Sequence, residues 1–365
     1  MINKSEIIKE YNRIQGLNYC SHPESPTNCN GKIIKSHSIQ KSNVLSKISK
    51  NGHVKKFKHK QLFKNSLFDV SDIGINEAST FKGFCNFHDT LVFKLIETPP
   101  LIINEETAFL FAYRAICERL FTKKLEKNLI PLKRKILNSK KEDLENIANK
   151  PKAIKDLLFL NEEALILNLH DINIKQKEIY IYEKGVDFGL RDLNSYKSDY
   201  DNSLLSNNFK DVKFFALTFD NVPDIMCSFA LYPEIDFKGK KLQDFNDQNR
   251  LDLLTFTITA TDFGGCAIFS WLGDSNLNLE FLSSLREIES KKVASSLIDF
   301  TFEFSENVYF SEDWYENLSK NNKESIKKRA TSGTNLKNYR ENSSLNKIYS
   351  KIEWNNITEL TNLTF

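Results

Sequence analysis

The stretch Cys85-Asn86-Phe87-His88-Asp89-Thr90-Leu91-Val92-Phe93-Lys94-Leu95-Ile96-Glu97 decides how the first part of this chain folds. Apolar residues at 84, 87, 91 and 95 recur at helical spacing, so the stretch predicts a helix. Pro99-Pro100 ends it, because proline lacks an amide hydrogen and fixes φ. Cys85 and His88 stand at i and i+3 at the helix start and share one face. Such a pair supplies half of a tetrahedral zinc site, which takes four soft or borderline donors at about 2.0–2.3 Å.

The other half lies upstream. Cys20 and Cys29 flank a loop punctuated by Pro23, Pro26 and Asn28, with Asn30 and Gly31 just beyond it. Ile33-Ile34 then reads as the first arm of a tight hairpin that carries His37. Cys20, Cys29, Cys85 and His88 are therefore expected to bind one structural zinc ion, in the knuckle, hairpin and helix order of a treble clef. Eight residues separate Cys20 from Cys29 where two to four are usual, so the knuckle is expanded and His22 is a rival ligand. Cys117, Cys227 and Cys266 lie in apolar runs and read as buried thiols.

At 365 residues the chain exceeds one average domain. The expected class is α+β, with a zinc-bound treble-clef-like ββα module at 1–100, a helical connector at 101–165 and a sheet-containing α+β domain at 166–365. In the first module Ile7, Ile8, Tyr11 and Ile14 mark an amphipathic helix over 2–15. A brief helical turn at 42–48 precedes an Asn51-Gly52 turn into 54–58. Helical periodicity covers 104–124, both sides of Pro131 to 148, and 153–159. Strands are expected at 179–182, 214–219 and 253–259, and Gly264-Gly265 turns the last into 267–272. A helix follows at 278–300. Phe302, Phe304, Tyr309, Phe310, Trp314 and Tyr315 read as a packing face or a contact surface for a protein partner.

Net charge is +3, from 51 basic and 48 acidic residues, too little to make the whole chain a polyanion binder. The distribution is uneven. Between Glu24 and Asp69 there is no acid but ten lysines, and Lys32, Lys35, Lys55, Lys56, Lys58 and Lys60 are candidate nucleic-acid contacts. Interleaved Phe57, Phe63 and Phe68 either stack on bases or fill core. There is no Gly-x4-Gly-Lys-Ser/Thr loop and hence no obvious ATP motor. No run of about 18 uncharged apolar residues and no secretory leader appears, so a cytoplasmic protein without membrane contact is expected.

A treble clef with a histidine on its hairpin, Ser36-His37-Ser38-Ile39, and a last ligand on its helix resembles the HNH, or ββα-metal, endonuclease module. The resemblance covers residues 20 to about 97, about a quarter of the chain. It implies that His37 is a general base taking a proton from the water that attacks a phosphodiester. It also implies a catalytic Mg or Mn ion held partly by the helix through Asp89, and nucleic acid as substrate, DNA before RNA. Two features depart from the family. Ser36 stands where many members carry Asp before the base, and His88, as a zinc ligand, leaves the catalytic ion to Asp89 or another group. The central Asn is open between Asn51, with His59 eight residues further on, and Asn76; the register using His37 and the 85–89 helix is preferred because it joins the cysteines. The implied activity is that of a metal-dependent nuclease, in defence against foreign DNA. The alternatives are a non-catalytic zinc-stabilised nucleic-acid-binding protein and a protein-interaction module.

Overall fold

The computed structural model describes residues 4–58, 69–138, 169–245, 247, 249–332 and 348–365. His59, Lys60, Phe63, Phe68 and the helical expectations for 139–148 and 153–159 lie outside the described residues.

Strands β5 (Val212–Phe219), β6 (Ile225–Leu231), β7 (Leu254–Ala260) and β8 (Gly265–Leu272) form the centre of an antiparallel sheet. Along β5, Phe214 and Ala216 enter one core, while Phe215, Leu217 and Phe219 enter another. On β8, Cys266 and Ile268 join the first core, and Ala267, Phe269 and Trp271 the second. Alternate side chains point to opposite faces, so both faces of these strands are covered, and that is why they read as unbroken apolar runs. Helices α3 (Glu105–Leu137) and α4 (Leu169–Ser206) cover one face. On the other lie α5 (Asn276–Arg286), α6 (Ser290–Glu303), the short α7 (Glu312–Asn317) and α8 (Lys320–Ser332), through Phe281, Phe300, Trp314 and Ile326. Of the expected aromatic face, Phe302, Phe304, Phe310, Trp314 and Tyr315 join this second core, where Phe302 stacks on Trp314 with ring centroids 6.0 Å apart, while Tyr309 packs with Val54 and Met226.

The class is α+β as expected, with two local corrections in this part. Residues 179–182 are not a strand but part of α4. Their β-branched and aromatic side chains have strand propensity, yet α4 docks on α3 through Leu193, Tyr196 and Tyr200 at helical spacing, and that packing overrides local preference. The expected helix over 278–300 is two helices, α5 and α6, interrupted at 287–289. The helical reading on both sides of Pro131 holds as far as Leu137, where α3 ends.

The N-terminal unit is ββα. β1 (Ile33–His37) pairs antiparallel with β4 (Thr80–Cys85), and α2 (Asn86–Glu97) follows directly. The hairpin is not tight, because residues 38–79 lie between its strands. Within that insertion, Asn51 (φ 52°) and Gly52 (φ 72°) sit between the bridged Lys50 and His53, the double positive φ of a type I′ turn. The turn opens β2 (His53–Lys58), which pairs with β3 (Asp69–Gly74) and, through Lys55 opposite Phe310, with β9 (Val308–Phe310). With β10 (Thr358–Thr361), the strand order among the described residues is β10-β5-β8-β7-β6-β9-β2-β3. One sheet thus takes strands from both sides of residue 100. Two buried bonds fix the insertion to it: the Ser79 N–H donates to Tyr309 Oη at 2.7 Å, and Asn307 Nδ2 donates to Ser38 Oγ at 2.8 Å. α1 (Lys4–Gln15) packs Ile7 and Ile14 on Leu132 and Ile136 of α3.

Candidate metal centre

Cys85 closes β4 and caps α2. Its backbone is extended (φ −79°, ψ 157°), and its sulfur accepts the His88 N–H at 3.5 Å. The Tyr19 N–H donates to Lys82 O at 3.2 Å and the Ser21 N–H to Gly83 O at 2.7 Å, so residues 19–21 lie along β4 and deliver Cys20 to Cys85. The long knuckle is wound into turns by Ser25 N–H to His22 O (3.0 Å), Asn28 N–H to Glu24 O (3.1 Å) and Cys29 N–H to Pro26 O (3.2 Å). These turns return Cys29 to the cluster despite the extra residues.

His88 Nδ1 faces all three sulfurs, 3.3 Å from Cys85, 3.4 Å from Cys20 and 3.7 Å from Cys29. Zinc–sulfur bonds of about 2.3 Å and a zinc–nitrogen bond of about 2.0 Å at the tetrahedral angle set nitrogen and sulfur about 3.5 Å apart. The four donors, all within 4.8 Å of one another, thus fit a tetrahedral ion. The thiols are free, Cys85 and His88 are fully buried and Cys20 nearly so, as in closed structural sites. Burial pushes the Cys20 thiol up to about 11. Burial acts on Cys85 too, but the His88 N–H and the neighbouring thiols outweigh it and hold that thiol below its ordinary value.

His22, the rival ligand, does not join the sulfurs. Its ring stacks on His88 with centroids 3.8 Å and planes 6° apart. The donor atoms of His22, Glu24 and His88 also fall within 4.8 Å of one another. Stacked rings, however, direct their lone pairs in parallel planes, so an ion in the plane of one ring lies well out of the plane of the other.

The two residues implied as catalytic, His37 and Asp89, influence each other electrostatically. His37 ends β1, half-buried, with Nε2 3.3 Å from the Ile75 carbonyl. Burial is the largest influence on it and lowers its pKa; Asp89, in the first turn of α2, is among the charges that act on it. Burial raises the Asp89 carboxyl, partly offset by Arg114 and Ser36. Arg114, 2.5 Å from Glu97 Oε1 and over the Phe93 ring at 4.0 Å, comes from α3 and is almost fully buried, as is Ser36. Apart from the weak Ser36–Asp89 contact, Asp89 Oδ1, Ser36 Oγ and Arg114 Nε are buried without a hydrogen-bond partner, polar capacity that a folded core rarely leaves idle. Of the candidate central residues, Asn51 is occupied as a turn residue and Asn76 Oδ1 accepts from Lys41 Nζ at 3.1 Å.

The lysine stretch has less free charge than its sequence suggests. Lys35 pairs with Glu77 at 2.6 Å, Lys50 with Asp313 at 2.9 Å and Lys55 with Asp72 at 2.8 Å and Glu312 at 3.3 Å. Lys56 lies over the Tyr309 ring at 5.3 Å. Lys32 is exposed, and Lys58 stands opposite Asp69 in the β2–β3 register. The acids missing between Glu24 and Asp69 arrive from elsewhere in the fold.

Comparison with known protein families, with curated proteins and with solved structures finds no match to this chain. No helix among the described residues is long and apolar enough to cross a membrane. Sequence reasoning missed Arg114, although a lone arginine within the apolar run 108–117 was a usable signal.

Proposed function

We propose that Cys20, Cys29, Cys85 and His88 hold a structural zinc ion and that the ββα unit they clamp is the head of a metal-dependent nuclease. The observation that carries this reading is the contact of His37 Nε2 with the Ile75 carbonyl. With Nε2–H donating there, Nδ1 keeps its lone pair and can accept a proton from water. The lowered pKa keeps that imidazole neutral near pH 7. Zinc with four protein ligands has no open position, so a separate Mg or Mn ion is required, and the Asp89 carboxylate is the oxygen donor beside the base. DNA is the proposed substrate, with defence against foreign DNA as the role. A cytoplasmic setting would keep the three thiols reduced and free for metal.

The test is nicking of plasmid DNA by zinc-loaded protein with Mn²⁺. Cleavage should appear with the added ion and vanish in Asp89→Asn. Equal cleavage by parent and Asp89→Asn would overturn the assignment. A non-catalytic, zinc-stabilised interaction module is the second reading, and the ion pairs that neutralise Lys35, Lys50 and Lys55 favour it.

A further inference from the structure

One polar cluster lies outside both sites and belongs to no sequence motif. The Ser21 carbonyl, between the ligand Cys20 and the stacked His22, is buried against α3 and α4. It accepts from Lys197 Nζ at 2.7 Å and from Tyr113 Oη at 3.3 Å. The single Tyr113 hydroxyl proton is shared with Asp201 Oδ1, the nearer acceptor at 2.8 Å, and Lys197 is hydrogen-bonded to the same oxygen. Tyr113 is fully buried and Lys197 is 8% exposed, while its ammonium stands 4.9 Å from the Tyr113 ring centroid.

This arrangement is more than a tether between helices. A carbonyl has two lone pairs: the α4 ammonium donates to one at 2.7 Å, and the α3 hydroxyl, whose one proton is drawn mainly to Asp201, adds a weaker contact to the other. The adjoining Ser21 N–H is held by Gly83 on β4. The peptide units beside Cys20 are therefore fixed from three elements, α3, α4 and β4, and the Cys20 sulfur has little freedom to leave the place where it faces His88. Lysine suits the position because its ammonium satisfies the carbonyl and the partly buried Asp201 carboxylate at once, and leaving both acceptors unmet would be unfavourable.

We infer that Lys197, with Tyr113 and Asp201, is a positioning group for the metal centre: it holds the Ser21 carbonyl so that Cys20 is preset for the ion, and it makes metal affinity depend on how α4 is seated. The inference rests on the Cys/His cluster being a metal site and is independent of whether the head cleaves nucleic acid. Outer-shell groups of this kind typically change metal affinity by about 10- to 100-fold when removed.

The experiment is competition for zinc between the full chain and a chromophoric chelator, with Co²⁺ spectra as a second readout. Lys197→Met should weaken zinc binding by about 10- to 100-fold and alter the intensity of the Co²⁺ visible bands, while far-UV circular dichroism stays that of the parent. Tyr113→Phe, which removes one hydroxyl, should weaken binding in the same direction by less, and it decides the matter should Lys197→Met not fold. Asp199→Asn, on the same helix as Lys197, breaks the exposed pair with Arg250 on a neighbouring loop; it is the control and should bind as the parent does. Parent-like zinc affinity in Lys197→Met and Tyr113→Phe, even with lowered melting temperatures, would reduce the cluster to a structural tether and overturn the inference. A parent chain that takes up no zinc would overturn the metal centre itself, a distinguishable failure.

Discussion

Removing zinc should destabilise the chain by an amount set by mass action. The four donors come from a knuckle and a strand–helix junction more than 50 residues apart, and they already stand at tetrahedral spacing. An ion that binds this arrangement and not the unfolded chain adds RT ln(1 + [Zn]/Kd), about 4 kcal/mol at a thousandfold excess over Kd. With an unfolding entropy of about 2.1 cal/mol/K per residue, a 365-residue chain that unfolds as one unit shifts by roughly 1.3 °C per kcal/mol, so chelation should lower the melting temperature by about 5 °C. Cys85→Ser should do the same without chelator, since it removes a ligand and the thiolate that accepts the His88 N–H. The assay is thermal unfolding by circular dichroism at a series of buffered free-zinc concentrations, where the midpoint should climb with the logarithm of free zinc. Superposable curves in chelator and in saturating zinc would refute the reasoning.

Two further predictions concern the sheet-bearing part. Asp299 is fully buried, accepts the Tyr349 N–H at 2.5 Å, and burial pushes its carboxyl up to about 6. The folded chain therefore keeps this proton over a range where the unfolded chain, with an ordinary value near 3.9, has lost it; stability should fall as pH rises from about 4 to 6, and Asp299→Asn should flatten that dependence in urea titrations. Phe256→Ala, at a fully buried ring stacked on Phe269 with centroids 4.1 Å apart, should cost about 3–5 kcal/mol in urea unfolding, whereas a loss below 1 kcal/mol would mean the core collapses onto the gap.

Much of the candidate site was legible because its signals are local. A helix period, two prolines after it and a Cys-x2-His pair at its start fix α2 and half of the ligand set, and the Asn51-Gly52 turn announces β2. What the sequence concealed is non-local. The partner of β1 is β4, beyond the whole insertion, and nothing near Ile33 encodes that distance. β2 reaches β9 across more than 250 residues, so the sheet's extent could not be read from either end. Residues 179–182 misled because strand propensity is a statement about side chains, while the face of α4 that meets α3 is set by residues further along the helix. The lysine stretch misled for the same reason: Glu77, Glu312 and Asp313 neutralise it only in three dimensions. Lys197 and Arg114 act through contacts with distant segments, and neither contact leaves a periodic trace in the sequence.

The proposed nuclease is tested most directly by His37→Ala in the zinc-loaded full chain, scored for plasmid nicking with Mn²⁺ and for bound zinc together. His37 touches no member of the Cys/His cluster, its described polar contact being the Ile75 carbonyl, so zinc content should stay at one ion per chain. Loss of a general base should lower cleavage by roughly 10²- to 10⁴-fold. Undiminished cleavage by His37→Ala, or release of zinc from it, would contradict the account.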